Sequence, residues 1–155
     1  MVLVTQPRRS TILVIGCGDV TANRFRPAME RLQAEGLVCR IAYLDILPQC
    51  PLDVSAEYLC LEADGVLPLD TLAERELLGP HVLALICAPT RYHAHYAKQL
   101  LGTGTRVAVE KPLDLSVTAA NSLLPFADWI FPIGHQLFKA DMWAFLRRCQ
   151  KGLFL

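Results

Sequence analysis

Thr11–Ile15 is a run of β-branched and apolar residues that passes directly into Gly16-Cys17-Gly18-Asp19-Val20-Thr21. A helical stretch, Thr21–Glu35, follows and ends at Gly36. A strand that feeds a glycine turn and then a helix must pack that helix back onto its own sheet, and such crossovers are right-handed. This junction constrains the chain more than any other feature, and the same alternation then repeats. Val38–Asp45 reads as a second strand and Glu57–Leu61 as a short third. Leu69–Leu78 reads as a helix stopped by Gly79-Pro80. Val82–Cys87 is apolar throughout, as a strand covered on both faces must be. Tyr92–Leu101 is a helix ended by Gly102, Arg106–Val109 a fifth strand, and Ser116–Leu124 a helix with Ser116 at its N-cap. Trp129–Ile133 is a sixth strand and Asp141–Arg148 a last helix.

Six strands alternating with helices predict an α/β fold: a doubly wound parallel sheet of the Rossmann type, with strand order 3-2-1-4-5-6. Residues 1–135 are expected to form this domain, and 136–155 to begin a connection to a second domain. Ligands in such sheets bind outside the carboxyl ends of the strands, where the order reverses between strands 1 and 4. The turns after the strands are therefore where chemistry is expected.

The 155 residues suffice for one domain with a substantial core. Lys+Arg and Asp+Glu are both 15, so no basic surplus points to nucleic acid or to an anionic membrane. The apolar runs fall far short of the ~20 residues a membrane-spanning helix needs. No cleavage site follows the short apolar start, so no signal peptide is read and a cytoplasmic location is expected. The six cysteines form no C-x-x-C pair, and Cys17, Cys39 and Cys87 lie in or beside strand-like runs. They read as buried free thiols in a reducing compartment.

Gly16-x-Gly18-x-x-Thr21 is a phosphate-binding turn in form. The first glycine permits the tight turn. The second lets the backbone approach a pyrophosphate, and the helix start at Asp19 and Val20 offers free N–H groups to it. Asp19 is the expected N-cap. Thr21 stands where Gly or Ala is usual, which leaves open a sheet of this type with no nucleotide ligand. Asp45 closes the second strand, where an acid accepts hydrogen bonds from the adenosine ribose and repels a 2′-phosphate. Ile46 and Leu47 follow it with no Arg or Lys. NAD is therefore expected over NADP.

Strand 4 runs into Ala88-Pro89-Thr90-Arg91-Tyr92-His93. After the next helix, Gly104-x-x-Val107 leads into Glu110-Lys111-Pro112. This set resembles the amino-terminal half of the glucose–fructose oxidoreductase/inositol dehydrogenase (Gfo/Idh/MocA) family, with its T-P-N-x-x-H turn, helix and E-K-P turn. The likeness spans roughly residues 11 to 135. Ala88, Thr90 and Thr21 depart from the family pattern. The resemblance implies that Lys111 projects beside the nicotinamide, binds the substrate hydroxyl and assists proton transfer. It also implies that Ala88, Pro89, Thr90, Glu110 and Gln136 border the cofactor. A lysine at the carboxyl end of a central strand agrees with this reading. His93 is a candidate for the nicotinamide side of the pocket or for a local packing role. Pro112 allows a cis or a trans bond before it. His93 and His95 stand two apart on a helix and do not share a face, so no metal site is expected.

Gly134 and Gln136 also match the family's G-Y-Q-R-x-F segment. Through His135, Leu137 and Lys139 the stretch is similar to the D-H-Y-L-G-K-E segment of glucose-6-phosphate dehydrogenases, which implies contacts to substrate oxygens or a phosphate. The resemblance thus implies a domain of an oxidoreductase that moves hydride between a nicotinamide cofactor and a sugar, polyol or related alcohol. The alternative is a non-catalytic module that binds a dinucleotide or docks a partner. The family's substrate domain has no counterpart in residues 1–155, so negligible turnover is expected of this chain. Trp143, Phe145 and the apolar end Leu153-Phe154-Leu155 predict self-association as a symmetric dimer.

Overall fold

The computed structural model describes residues 10–52, 56–62 and 65–134. The strands are β1 (Ser10–Ile15), β2 (Val38–Asp45), β3 (Glu57–Cys60), β4 (Val82–Ile86), β5 (Arg106–Glu110) and β6 (Ile130–Ile133). They form a single parallel sheet in the order β3-β2-β1-β4-β5-β6, as expected from the sequence. The helices are α1 (Arg26–Ala34), α2 (Leu69–Glu74), α3 (His93–Leu101) and α4 (Val117–Asn121).

Side chains alternate across the sheet into two cores. Leu13, Ile15, Ile86 and Val109 point to one face, where Leu72 of α2 and Ala97 and Leu100 of α3 cover them. Ile12, Val14, Leu85 and Ala108 point to the other, where Met29 of α1 packs. β1 is buried from Thr11 to Ile15. Burial on both faces is why this central strand carries no alternating polar residues.

The first helix differs from its expected form. Thr21–Phe25 is a π-helical turn, in which Arg26 donates its N–H to the Thr21 carbonyl, and α1 begins only after it. Pro27 accounts for this. It cannot donate to Asn23, and its ring crowds that carbonyl, so the preceding turn opens by one residue. α2 also ends earlier than expected. Glu76 takes a left-handed φ of 56°, and Leu77 donates to the Leu72 carbonyl while Glu76 donates to that of Ala73. This closing motif turns Leu77 inward, and both Leu72 and Leu77 are fully buried. α4 starts as expected, with Ser116 Oγ accepting from Ala119 N at 3.3 Å, but it is shorter than predicted and a 3-10 turn at Leu124–Phe126 follows it. The predicted helix 141–148, the apolar residues at 143, 145 and 153–155, and the proposed domain boundary at 135 lie outside the described residues.

The cysteines differ in part from expectation. Cys17, Cys39, Cys50, Cys60 and Cys87 are all free, but Cys39 and Cys60 are exposed. Cys39 lies near the amino end of β2, on a strand position that faces solvent. Cys149 lies outside the described residues. Among the described residues no helix is long and apolar enough to cross a membrane.

Candidate functional site

The turns after β1, β2 and β4 converge on one cavity of about 790 Å³ at the carboxyl edge of the sheet. Gly16, Gly18, Asp19, Asp45, Ala88 and Pro89 are among the residues that line it.

The two glycines serve different needs. Gly16 has φ +96°, and a Cβ there would lie 2.6 Å from Ala88 N and from the Cys87 carbonyl carbon. The exits of β1 and β4 therefore pass so closely that only glycine fits between them. Cys87 N donates to the Ile15 carbonyl at 2.7 Å and Gly16 N to that of Leu44 at 2.9 Å, which locks the turn to both neighbouring strands. Gly18 is exposed, has no left-handed φ, and a Cβ there would meet nothing within 4 Å. The protein itself does not require glycine at this position.

Helical backbone begins at Asp19, two residues ahead of the expected start at Thr21. Ala22 N donates to the Gly18 carbonyl at 3.0 Å, so Gly18 occupies the cap and Asp19 already lies in the first turn. The expected N-cap role of Asp19 is corrected accordingly. Thr21 fills the third motif position productively. It is fully buried, and its Oγ1 donates to the Gly16 carbonyl at 2.6 Å, closing the loop on itself.

Asp45 reaches the same turn from β2. Its Oδ2 accepts from Cys17 N at 2.6 Å, and its Oδ1 accepts a longer bond from Leu47 N at 3.3 Å. Two backbone donors thus orient a half-buried carboxylate at the cavity wall. Burial pushes the Cys17 thiol up, with Asp45 adding to the effect, and burial pushes the Cys87 thiol up to about 11. Both stay protonated at neutral pH and are not nucleophiles.

His93 lies outside the cavity wall. It is 2% exposed, with Nδ1 2.7 Å from the Pro112 carbonyl and Nε2 2.6 Å from the Ala88 carbonyl. Both partners are acceptors. A neutral ring donates to one of them, and the imidazolium donates to both. The ring thus ties the turn after β4 to the turn after β5, and it meets the site only through those two backbones. Glu110 ends β5 and is buried, and its Oε2 accepts from Lys111 N at 3.1 Å. Lys111 is exposed, and the Lys111–Pro112 bond is cis. Lys111, Glu110, Val20 and Thr90 are not among the residues that line this cavity. Gln136, His135 and Lys139 lie outside the described residues. Among the described residues no group of three His, Cys, Asp or Glu is placed to hold a metal ion.

The sequence reading missed one wall. Tyr92 and Tyr96 stack at 5.4 Å and 11°, and both line the cavity together with Arg91 and Gly65. The helical spacing of the two tyrosines was the available signal, since residues four apart share a face. That this face turns toward the β2 exit is a tertiary fact.

The solved structures this chain resembles share the fold at low identity. The WlbA dehydrogenase from Bordetella pertussis, solved with NADH and UDP-GlcNAcA, has a TM-score of 0.71 and 16% identity over 94% of this chain and 40% of its own. Scyllo-inositol dehydrogenase from Lactobacillus casei, solved with NAD(H) and scyllo-inositol, has a TM-score of 0.64 and 15% identity over 93% and 42%. The 3-ketoreductase KijD10 from Actinomadura kijaniata, solved with NADP, has a TM-score of 0.57 and 24% identity over 77% and 34%. The chain thus spans about two fifths or less of the length of these proteins. No curated protein matches it. The family model for the oxidoreductase family with an NAD-binding Rossmann fold, GFO_IDH_MocA, matches residues 10–128. With the parallel sheet and the glycine turn in place, this chain belongs to the Gfo/Idh/MocA oxidoreductases, and the matched residues are their NAD-binding domain.

Proposed function

We propose that this chain binds NAD in preference to NADP and serves as the cofactor half of a dehydrogenase for a sugar, polyol or related alcohol. The observation that carries the cofactor reading is Gly18. Glycine there is needed neither for φ nor for space inside the protein, and a Cβ would project into open space beside the cavity. A close-approaching ligand backbone explains it, and the helix start at Asp19 and Val20 supplies N–H donors for a diphosphate at that point. Asp45 would accept the adenosine ribose hydroxyls while Cys17 N and Leu47 N hold its carboxylate. The same negative charge disfavours a 2′-phosphate.

A bound nicotinamide supplies the hydride acceptor or donor. The chain supplies placement and a proton. Ala88, Pro89 and Thr90 would border the ring from the β4 exit. Lys111, at the β5 exit, would hold the substrate hydroxyl and take up or return its proton. His93 acts one step removed as a positioning residue, because it fixes the Ala88 carbonyl and that of Pro112, the residue after Lys111. Residues 1–135 are proposed as the cofactor domain and 136–155 as the start of a connection to a substrate domain. The sugar or polyol class rests on family membership and on the sugar-related ligands of the solved relatives.

The test is calorimetric titration of the wild-type chain, Gly18→Val and Asp45→Ala with both dinucleotides. Gly18→Val should lose only the roughly 1 kcal/mol of a poorer N-cap and lose binding by at least roughly tenfold, through displacement of the phosphate–backbone contacts. Asp45→Ala should narrow the preference for NAD. Unchanged binding in Gly18→Val would end the cofactor reading, and tighter wild-type binding of NADP would end the role given to Asp45.

A further inference from the structure

Among the described residues that line the cavity, Arg91 is the sole cation, in a lining that also holds two acids, Asp19 and Asp45. It sits in the 3-10 turn Thr90–Tyr92 that precedes α3. Its guanidinium carbon lies 4.8 Å from the centroid of the Tyr92 ring. That ring is itself fixed. It stacks on Tyr96, which is 2% exposed, and the Gly65 backbone presses so closely that a Cβ there would lie 3.1 Å from Tyr96 Oη and 3.3 Å from the Tyr92 ring. The cation therefore rests on a rigid aromatic platform at the cavity wall. None of the ion pairs among the described residues includes Arg91. An arginine spread over a ring keeps the N–H donors on its edge available, and those donors match a phosphate in two-pronged fashion.

We propose that Arg91 is the phosphate-binding cation of this cofactor site and a determinant of its affinity. The proposal rests on the dinucleotide reading above and adds a residue to it. The glycine turn contributes backbone N–H donors, but its own first helical turn carries Asp19, whose charge opposes an anion there. With Asp19 and Asp45 alone the lining would be acidic, a poor match for an anionic diphosphate. Arg91 offsets that charge from the turn after β4. The shared chemistry is a phosphate group, which is either the diphosphate common to both dinucleotides or the 2′-phosphate of NADP.

The experiment is titration of wild type, Arg91→Gln and Arg91→Lys with NAD and with NADP at low and at high salt. Arg91 is exposed, so all three proteins should melt alike. Arg91→Gln should bind roughly tenfold more weakly, the loss of one charge-assisted hydrogen-bonding pair, and the gap should shrink as salt rises. Arg91→Lys should recover part of the loss. Equal weakening for both cofactors assigns Arg91 to the diphosphate, and weakening for NADP alone assigns it to the 2′-phosphate. Either supports the proposal. Wild-type affinity in Arg91→Gln overturns it and leaves the cofactor reading standing. A loss that is independent of salt and unrelieved by lysine overturns it in favour of packing on the adenine. A wild-type chain that binds neither dinucleotide removes both readings.

Discussion

The carboxyl edge of the sheet is built in two ways. On the β1 side the chain is held by fit. Gly16 lets two backbones pass at a distance no side chain tolerates, and Thr21 ties the loop back to Gly16. On the β4–β5 side two turns are held by one polar side chain, the buried ring of His93, between the carbonyls of Ala88 and Pro112. The first arrangement leaves Gly18 and the helix start free for a ligand. The second leaves Lys111 free and commits its histidine neighbour entirely to the backbone. The difference teaches that motif residues split into those that build the edge and those the edge presents. Gly16, Thr21 and His93 belong to the first group, and Gly18, Asp45 and Lys111 to the second.

The largest expected effect tests the fit. Gly16→Ala places a methyl group 2.6 Å from two atoms of the β4 exit and forces a left-handed φ on a residue with a side chain. The two costs together should be about 3–5 kcal/mol, a large share of the ~5–15 kcal/mol stability of a typical domain. Urea unfolding of Gly16→Ala beside Gly18→Ala gives the contrast directly. The second variant should change stability by less than about 1 kcal/mol, since its backbone is ordinary and its surroundings open. Similar losses at both positions would erase the distinction between building and presenting.

The next effect tests the polar clamp. His93→Ala removes a 2%-exposed ring and leaves the Ala88 and Pro112 carbonyls without that partner. Lost packing and unsatisfied acceptors should together cost about 2–4 kcal/mol. His93→Gln, which keeps an N–H donor and part of the volume, should recover some of it. Thermal unfolding of the two variants measures the difference. A His93→Ala protein as stable as wild type would mean the two turns hold themselves, and the ring would then be available for a direct role at the nicotinamide.

Much of this edge was legible in the sequence. The strand order follows from crossover hand and from apolar runs such as Val82–Cys87; the glycine turn and Asp45 stand out by their place after strands, and the Lys111 turn by its resemblance to the family's E-K-P turn. What escaped was tertiary or competitive. The expected helix Thr21–Glu35 runs straight through Pro27. Here the helix begins at Asp19, so Pro27 falls in its interior and opens a π turn. Asp19 carries the right chemistry for a cap, but Gly18 takes the position. Arg91 and the Tyr92–Tyr96 pair line the cavity together with the β2 exit, a juxtaposition that no local pattern records. For His93 the motif signalled importance without saying which way the ring turns.

The smallest effect concerns a polar clamp that water reaches. Glu57 of β3 accepts from Arg40 of β2 and from Arg75 after α2, tying the outer strands to the helix end. Its side chain is 23% exposed, and those of Arg40 and Arg75 are 33% and 50% exposed. Partial burial opposes ionisation, but the two guanidinium partners outweigh it and hold the carboxyl below its usual range. A lowered acid in the folded state means the unfolded state binds the proton more readily. The contribution is therefore fully present above the ordinary glutamate value and is lost as pH falls through the depressed folded value. Solvent screening limits it to about 1 kcal/mol or less, well under the histidine clamp. Glu57→Gln should be slightly less stable than wild type at neutral pH. The two curves should converge as the solution is acidified below the ordinary range, and added salt at neutral pH should narrow the gap. Chemical unfolding across that pH range checks both trends. A gap that persists undiminished in acid would assign the role of Glu57 to packing, and burial would then not be what separates this clamp from that of His93.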